Sequence, residues 1–103
     1  MVVTVFRSRL RPGFDEEIAA RGTRMFELAS AMPGFISYKD FVAEDGENVA
    51  IVEFETMEQV VAWRENPEHR EVQALGRARY FEEFTVQVCE LVRSSHHPRS
   101  PDA

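Results

Sequence analysis

Trp63 and His69 stand six residues apart with Asn66-Pro67 between them, and this pair is the one in the chain best suited to handle a small aromatic molecule. Asn66 followed by Pro67 reads as a helix N-cap with proline at the first helical position, so His69 falls at the third position of a new helix. The positive end of the helix dipole disfavours an imidazolium there, and the ring is expected to be neutral near pH 7. A neutral imidazole donates from one nitrogen and accepts at the other, which suits moving a proton or holding a phenol or enol. The plainer roles are a capping or surface histidine at 69 and a core tryptophan at 63. His69 leads a helix face with Val72, Gln73, Gly76 and Tyr80, on which Gly76 leaves room for a close helix–sheet approach or for a ligand. Tyr38 and Tyr80 are candidate hydroxyl partners, and Arg77 and Arg7 candidate anion anchors. Lys39-Asp40, Glu53 and the Glu68–Glu71 region read as solvated charge or surface pairs.

Other chemistries lack their residues. There is no glycine-rich phosphate loop, no His-Glu-x-x-His helix and no zinc-ligand spacing, so neither a metal nor a cofactor is expected. His96-His97 adjoin near the end of the chain without a third ligand at helical or hairpin spacing. Cys89 is the single cysteine, which excludes an internal disulfide or a thiolate cluster, and no base stands near it in sequence to activate it. No serine has the context of a nucleophile elbow. Twelve Lys+Arg against eighteen Asp+Glu give a net charge of -6, which argues against nucleic-acid or anionic-membrane partners. No apolar run approaches the ~20 residues of a spanning helix. The stretch Met1–Arg7 lacks the basic region and cleavage site of a signal peptide, so a cytoplasmic location is expected. At 103 residues, 44% hydrophobic and 29% charged, the chain fits one packed domain.

The elements that must position these residues alternate clearly. Val2 to Arg9 is a β-branched and aromatic strand stopped by Arg11-Pro12-Gly13. Phe14, Ile18, Met25, Leu28, Ala29 and Met32 recur at helical spacing, with Asp15-Glu16-Glu17 at the favourable N-terminal end and Met32-Pro33-Gly34 as terminator. Phe35 to Ala43 and Asn48 to Glu55 form a hairpin around Glu44-Asp45-Gly46-Glu47, with Asp-Gly predicting a type I′ turn. Thr56-Met57-Glu58-Gln59 has capping-box spacing and opens a helix to about Asn66. A short helix then runs from Pro67 to about Arg79, and Glu83 to Val92 is the last strand. The order βαββαβ, with the second helix broken in two, is the ferredoxin-like α+β arrangement with a four-stranded antiparallel sheet. This domain spans 1–93. Residues 94–103, with two prolines and no apolar periodicity, read as a disordered C-terminal tail.

Splitting the strands by parity leaves neither face polar. Val2, Thr4, Phe6 and Ser8 oppose Val3, Val5, Arg7 and Arg9; Val49, Ile51 and Glu53 oppose Ala50, Val52 and Phe54; the second and fourth strands are similarly mixed. Helices in this topology cover one face only, and an apolar outer face of this extent is unusual on a monomer. A homodimer, sheet against sheet, is therefore expected; the alternative is a monomer with a mildly apolar outer face.

Four segments, Phe6-Arg7-Ser8-Arg9-Leu10-Arg11-Pro12-Gly13, Met32-Pro33-Gly34-Phe35, Glu44-Asp45-Gly46-Glu47 and Trp63-Arg64-Glu65-Asn66-Pro67-Glu68-His69, resemble the antibiotic biosynthesis monooxygenase (ABM) domain. The resemblance covers about residues 2–93, and its motifs speak to fold more than to activity. It implies a dimeric α+β barrel with a pocket between the sheet and helices of each subunit. It also implies one of several activities: cofactor-free oxygenation of aromatic polyketides, haem binding and degradation, or none assigned. The haem-degrading members pair the tryptophan matched by Trp63 with an Asn on the first strand and a His ten residues after the tryptophan, where this chain has Ser8 and Gln73. The polyketide oxygenases have Asn, Trp and Tyr where this chain has Ala50, Phe54 and Val60. The expectation drawn is a cofactor-independent monooxygenase for a small aromatic or quinol-type substrate. In it His69 is base or hydrogen-bond partner, Trp63 the ring-stacking wall, and Tyr38, Phe54, Arg77 and Tyr80 the further lining. The alternatives are a non-catalytic dimeric small-molecule-binding module and a haem-binding relative.

Overall fold

The structure, a computed structural model, describes residues 1–101. Its elements run β1 (Val2–Leu10), α1 (Asp15–Ser30), β2 (Phe35–Val42), β3 (Asn48–Phe54), α2 (Met57–Arg64), α3 (Pro67–Leu75), a π-helical turn (Gly76–Tyr80) and β4 (Phe81–Glu90). The strands form one antiparallel sheet in the order β2-β3-β1-β4, the ferredoxin-like topology expected from the element order. Residues 91–100 carry no helix or strand. Residues 102 and 103, the last of the tail expected to be disordered, lie outside the described residues.

Register fixes which side chains share a face. β1 pairs Val2, Thr4, Phe6 and Ser8 with Phe54, Val52, Ala50 and Asn48 of β3, and Thr4, Phe6 and Ser8 with Val88, Val86 and Phe84 of β4. This is the face that meets the helices. Its core joins Val2, Val52 and Phe54 of the sheet to Met25 and Ala29 of α1 and to Val60 and Trp63 of α2. The opposite face carries Val3, Val5 and Ile51, which are half-buried, and Phe41, 51% exposed. Around them stand the ion pairs Arg7–Glu47 at 3.0 Å and Arg9–Asp45 at 2.8 Å, and a Ser37–Glu53 hydrogen bond.

Local chemistry explains the element ends. Thr56 and Gln59 make the reciprocal capping box at the start of α2, which satisfies two backbone amides that the helix itself leaves without partners. Asn66 caps α3 with Pro67 at its first turn. Three details differ from the sequence-based expectation. The β2–β3 loop is not type I′, because Gly46 (φ 89°) is its only residue of positive φ. A turn closed by Gly46 N–H on Ala43 O (2.9 Å) is followed by Ala43 N–H on Glu47 O (2.8 Å), the longer loop in which one left-handed residue suffices. The last helical segment does not reach Arg79 as α-helix; it widens into a π turn at Gly76, where a Cβ would come within 2.5 Å of the Phe81 ring. β4 accordingly starts at Phe81 rather than Glu83, paired with Leu10 across an irregularity at Arg9/Leu10.

Candidate functional site

A cavity of about 790 Å3 lies between the inner face of the sheet and the three helices. Its walls are mostly apolar: Phe6, Phe26, Val52, Trp63, Phe81, Phe84, Val86 and Val88. Phe84, Val86 and Val88 of β4 remain 40%, 52% and 43% exposed, so the helices leave the cavity open along that strand.

The best-defined polar feature is the corner between α2 and α3. The Asn66 side chain accepts from the backbone N–H of Glu68 (3.0 Å) and of His69 (3.1 Å), which anchors the first turn of α3. The Trp63 carbonyl, freed by the end of α2, accepts from Asn66 N–H at 3.2 Å and lies 2.9 Å from His69 Nδ1. A carbonyl only accepts, so Nδ1 carries the proton and Nε2 is left as an acceptor. The imidazole stacks on the indole of Trp63, with centroids 3.9 Å apart and planes 14° from parallel. Burial holds the His69 pKa below its ordinary value, opposed more weakly by the bond to the Trp63 carbonyl. The neutral state expected from helix position therefore has burial as its main cause. The amide nitrogen of Gln73 lies 3.5 Å from Nε2.

Tyr38, His69, Arg77 and Tyr80 line this cavity together with Trp63. The Tyr38 phenol is pushed up to about 12, by burial first and by the Asp40 charge second, so at neutral pH it stays a hydrogen-bond donor. The Tyr80 hydroxyl donates to Glu17 at 2.7 Å and lowers the pKa of that carboxyl, so it is committed within the protein. Phe54 stands apart: it is fully buried in the core, edge-on to Phe35, and does not line the cavity. Arg7 is also elsewhere, paired with Glu47 on the outer sheet face. Trp63, 6% exposed, is packed on His69, so its ring positions the imidazole as well as closing the wall.

Three charged residues joined the cavity without being singled out for it, Arg64 at the end of α2 among them. Asp40, read from sequence as solvated charge, lines the cavity and has its pKa raised by burial. The signal was available, since Asp40 shares strand parity with Tyr38. Arg21 of α1 is the third. The described residues contain no group of three or more His, Cys, Asp or Glu able to hold a metal ion, and none of their helices is long and apolar enough to cross a membrane.

The ferredoxin-like sheet with helices on one face is the fold of ABM-type proteins. The antibiotic biosynthesis monooxygenase family model matches residues 1–75, and the chain belongs to that family. It is 29% identical over 70 residues to the uncharacterized protein YqjZ of Bacillus subtilis (strain 168), a match covering 68% of this chain and 61% of YqjZ. Among solved structures, it is similar to Rv0793 from Mycobacterium tuberculosis (TM-score 0.81, 20% identity, 92% of this chain and 98% of that one). It is also similar to a variant of SnoaB, a cofactor-independent oxygenase from Streptomyces nogalater (TM-score 0.76, 17% identity, 90% of this chain and 94% of that one). At these identities the two structures speak to fold alone.

Proposed function

We propose that the protein is a cofactor-independent monooxygenase that oxidises a small aromatic or quinol-type substrate in the helix-side cavity, with His69 as the base. The observation that carries this reading is the His69–Trp63 arrangement: Nδ1 bound to the Trp63 carbonyl, and a ring held neutral by burial whose unprotonated Nε2, approached by the Gln73 amide at 3.5 Å, is the proton acceptor. A substrate with an acidic C–H beside a phenol gives up its proton to Nε2, and the resulting carbanion is electron-rich enough to reduce dioxygen itself. The net change is CH2 + O2 → C=O + H2O, with the substrate carbon as the reductant. Apolar walls keep water from the carbanion, and the protonated Tyr38 phenol is a donor suited to the developing oxyanion. Arg77 is suited to an anionic substituent.

The test is oxygen uptake by the purified protein over a panel of anthrones, quinols and catechols, with a metal chelator present. Uptake that disappears in His69→Ala supports the reading; no uptake across the panel, with ligand binding intact, favours a non-catalytic binding module. That second reading is supported by Ala50, Phe54 and Val60, which are 9%, 0% and 6% exposed. Where the polyketide oxygenases have polar or aromatic side chains, Ala50 and Val60 give the cavity wall small apolar ones, and Phe54 packs the core.

We infer also that a second copy of the chain covers the outer sheet face, giving the dimeric barrel. Val3, Val5, Ile51 and Phe41 form its apolar centre, and Arg7–Glu47 and Arg9–Asp45 around it are already paired within the chain, so burying these four charges leaves none of them without a partner.

A further inference from the structure

α1 turns one stripe of residues toward the sheet, with Ile18, Gly22, Met25 and Ala29 following at three- and four-residue steps. Met25 and Ala29 are buried in the core, at 5% and 0% exposure. Gly22 lines the cavity, and a Cβ built on it would meet nothing within 4 Å. The contrast with two other glycines is direct: at Gly34 a Cβ would collide with the Gln59 side chain, and at Gly76 with the Phe81 ring. Gly22 also lies outside the positive-φ region, so neither crowding nor backbone geometry calls for glycine there. Gly22 is exposed, on the side of α1 that borders the cavity, and a helix interior is less stable with glycine than with alanine. What the missing side chain leaves is cavity. On the sheet side, Ser8 is 5% exposed and lines the same cavity.

We propose that Gly22 is the size gauge of this site, holding open the part of the cavity beneath α1 and so deciding how broad a ligand the site accepts. The inference rests on the cavity being a ligand site, as proposed above, and does not depend on which reaction, if any, takes place there. It predicts a trade between stability and reach. Gly22→Ala and Gly22→Leu should fold and melt higher than the parent by roughly 3–8 °C, because each restores helix propensity and the second fills the void. The same variants should lose broad ligands.

The experiment measures quenching of the single tryptophan, Trp63, under nitrogen by two probes: anthrone, with three fused rings, and catechol, with one. Gly22→Leu is expected to weaken anthrone at least tenfold and catechol less than twofold, with Gly22→Ala between Gly22→Leu and the parent for anthrone. Unchanged anthrone affinity in Gly22→Leu overturns the proposal, as does equal weakening of both probes, a lower melting temperature, or a parent protein that binds no anthrone. A parent that binds anthrone with the expected Gly22 dependence but consumes no oxygen defeats the oxygenase reading and leaves the gauge in place.

Discussion

The α2–α3 corner and the α1 wall bound the same cavity and are built in opposite ways. At the corner one asparagine side chain holds two amides, one carbonyl takes both a backbone N–H and an imidazole, and an indole covers the ring. Facing it, α1 reaches the α3 side through long side chains. Arg24 grips Glu68 at 2.6 Å, and Glu17 takes the Tyr80 hydroxyl at 2.7 Å and Arg79 at 3.3 Å. The corner's bonds are part-buried and mutually dependent, whereas the ion pairs of the wall are exposed and individually weak. The difference suits the ligand site proposed above: a group that is to move a proton needs fixed geometry, and a wall that is to admit a ligand needs space.

The comparison can be broken most forcefully at His69. His69→Ala should lower turnover of an accepted substrate by about a hundredfold or more, as removal of a general base does, while the circular dichroism spectrum stays that of the parent. Unimpaired turnover would remove His69 from the chemistry. Asn66→Ala comes next. Loss of the cap should destabilise the fold by about 1 kcal/mol, measured by urea denaturation, and should lower turnover as well, because the His69 backbone is held by that same side chain. A variant as stable and active as the parent would show that the corner is not fixed by its cap.

A smaller effect is expected from pH. Burial holds the His69 pKa below its ordinary 6.5, so between that value and the lowered one the unfolded chain binds more protons than the folded one. The stability associated with neutral His69 is complete above about pH 6.5 and is lost as pH falls through the lowered pKa. In His69→Gln this part of the pH dependence should vanish; if the melting temperature of both proteins falls in parallel between pH 7 and 5, His69 is not the group responsible. The smallest effect belongs to the wall. Glu68→Gln should shift the melting temperature by no more than about 2 °C, and a larger drop would mean that the ion pair contributes as much as the corner does.

Much of this architecture is legible in the residues. The capping box at Thr56 and Gln59 and the Asn66-Pro67 cap locate the break between α2 and α3, because these side chains satisfy local amides whatever the tertiary context. Strand parity separates the two faces of the sheet in the same way. The features that escaped depend on contacts between distant segments. The π turn at Gly76 reflects the approach of the Phe81 ring, and the irregularity at Arg9/Leu10 reflects the pairing that follows it. Phe54 shares its strand face with the cavity-lining Ala50 and Val52 but sits at the end of the sheet that the core fills, and strand parity cannot distinguish the two ends. The open space at Gly22 is likewise a property of what α1 does not touch.

The most direct test of the account is the state of the His69 ring itself. Nitrogen-15 chemical shifts of the imidazole, followed through a pH titration, should show a neutral ring at pH 7 with the proton on Nδ1, an unprotonated Nε2 and a pKa below 6.5. A ring that is already imidazolium at pH 7, or that carries its proton on Nε2, would contradict it, since Nε2 would then have no lone pair to take a proton from a bound substrate, and Nδ1 is turned to the Trp63 carbonyl.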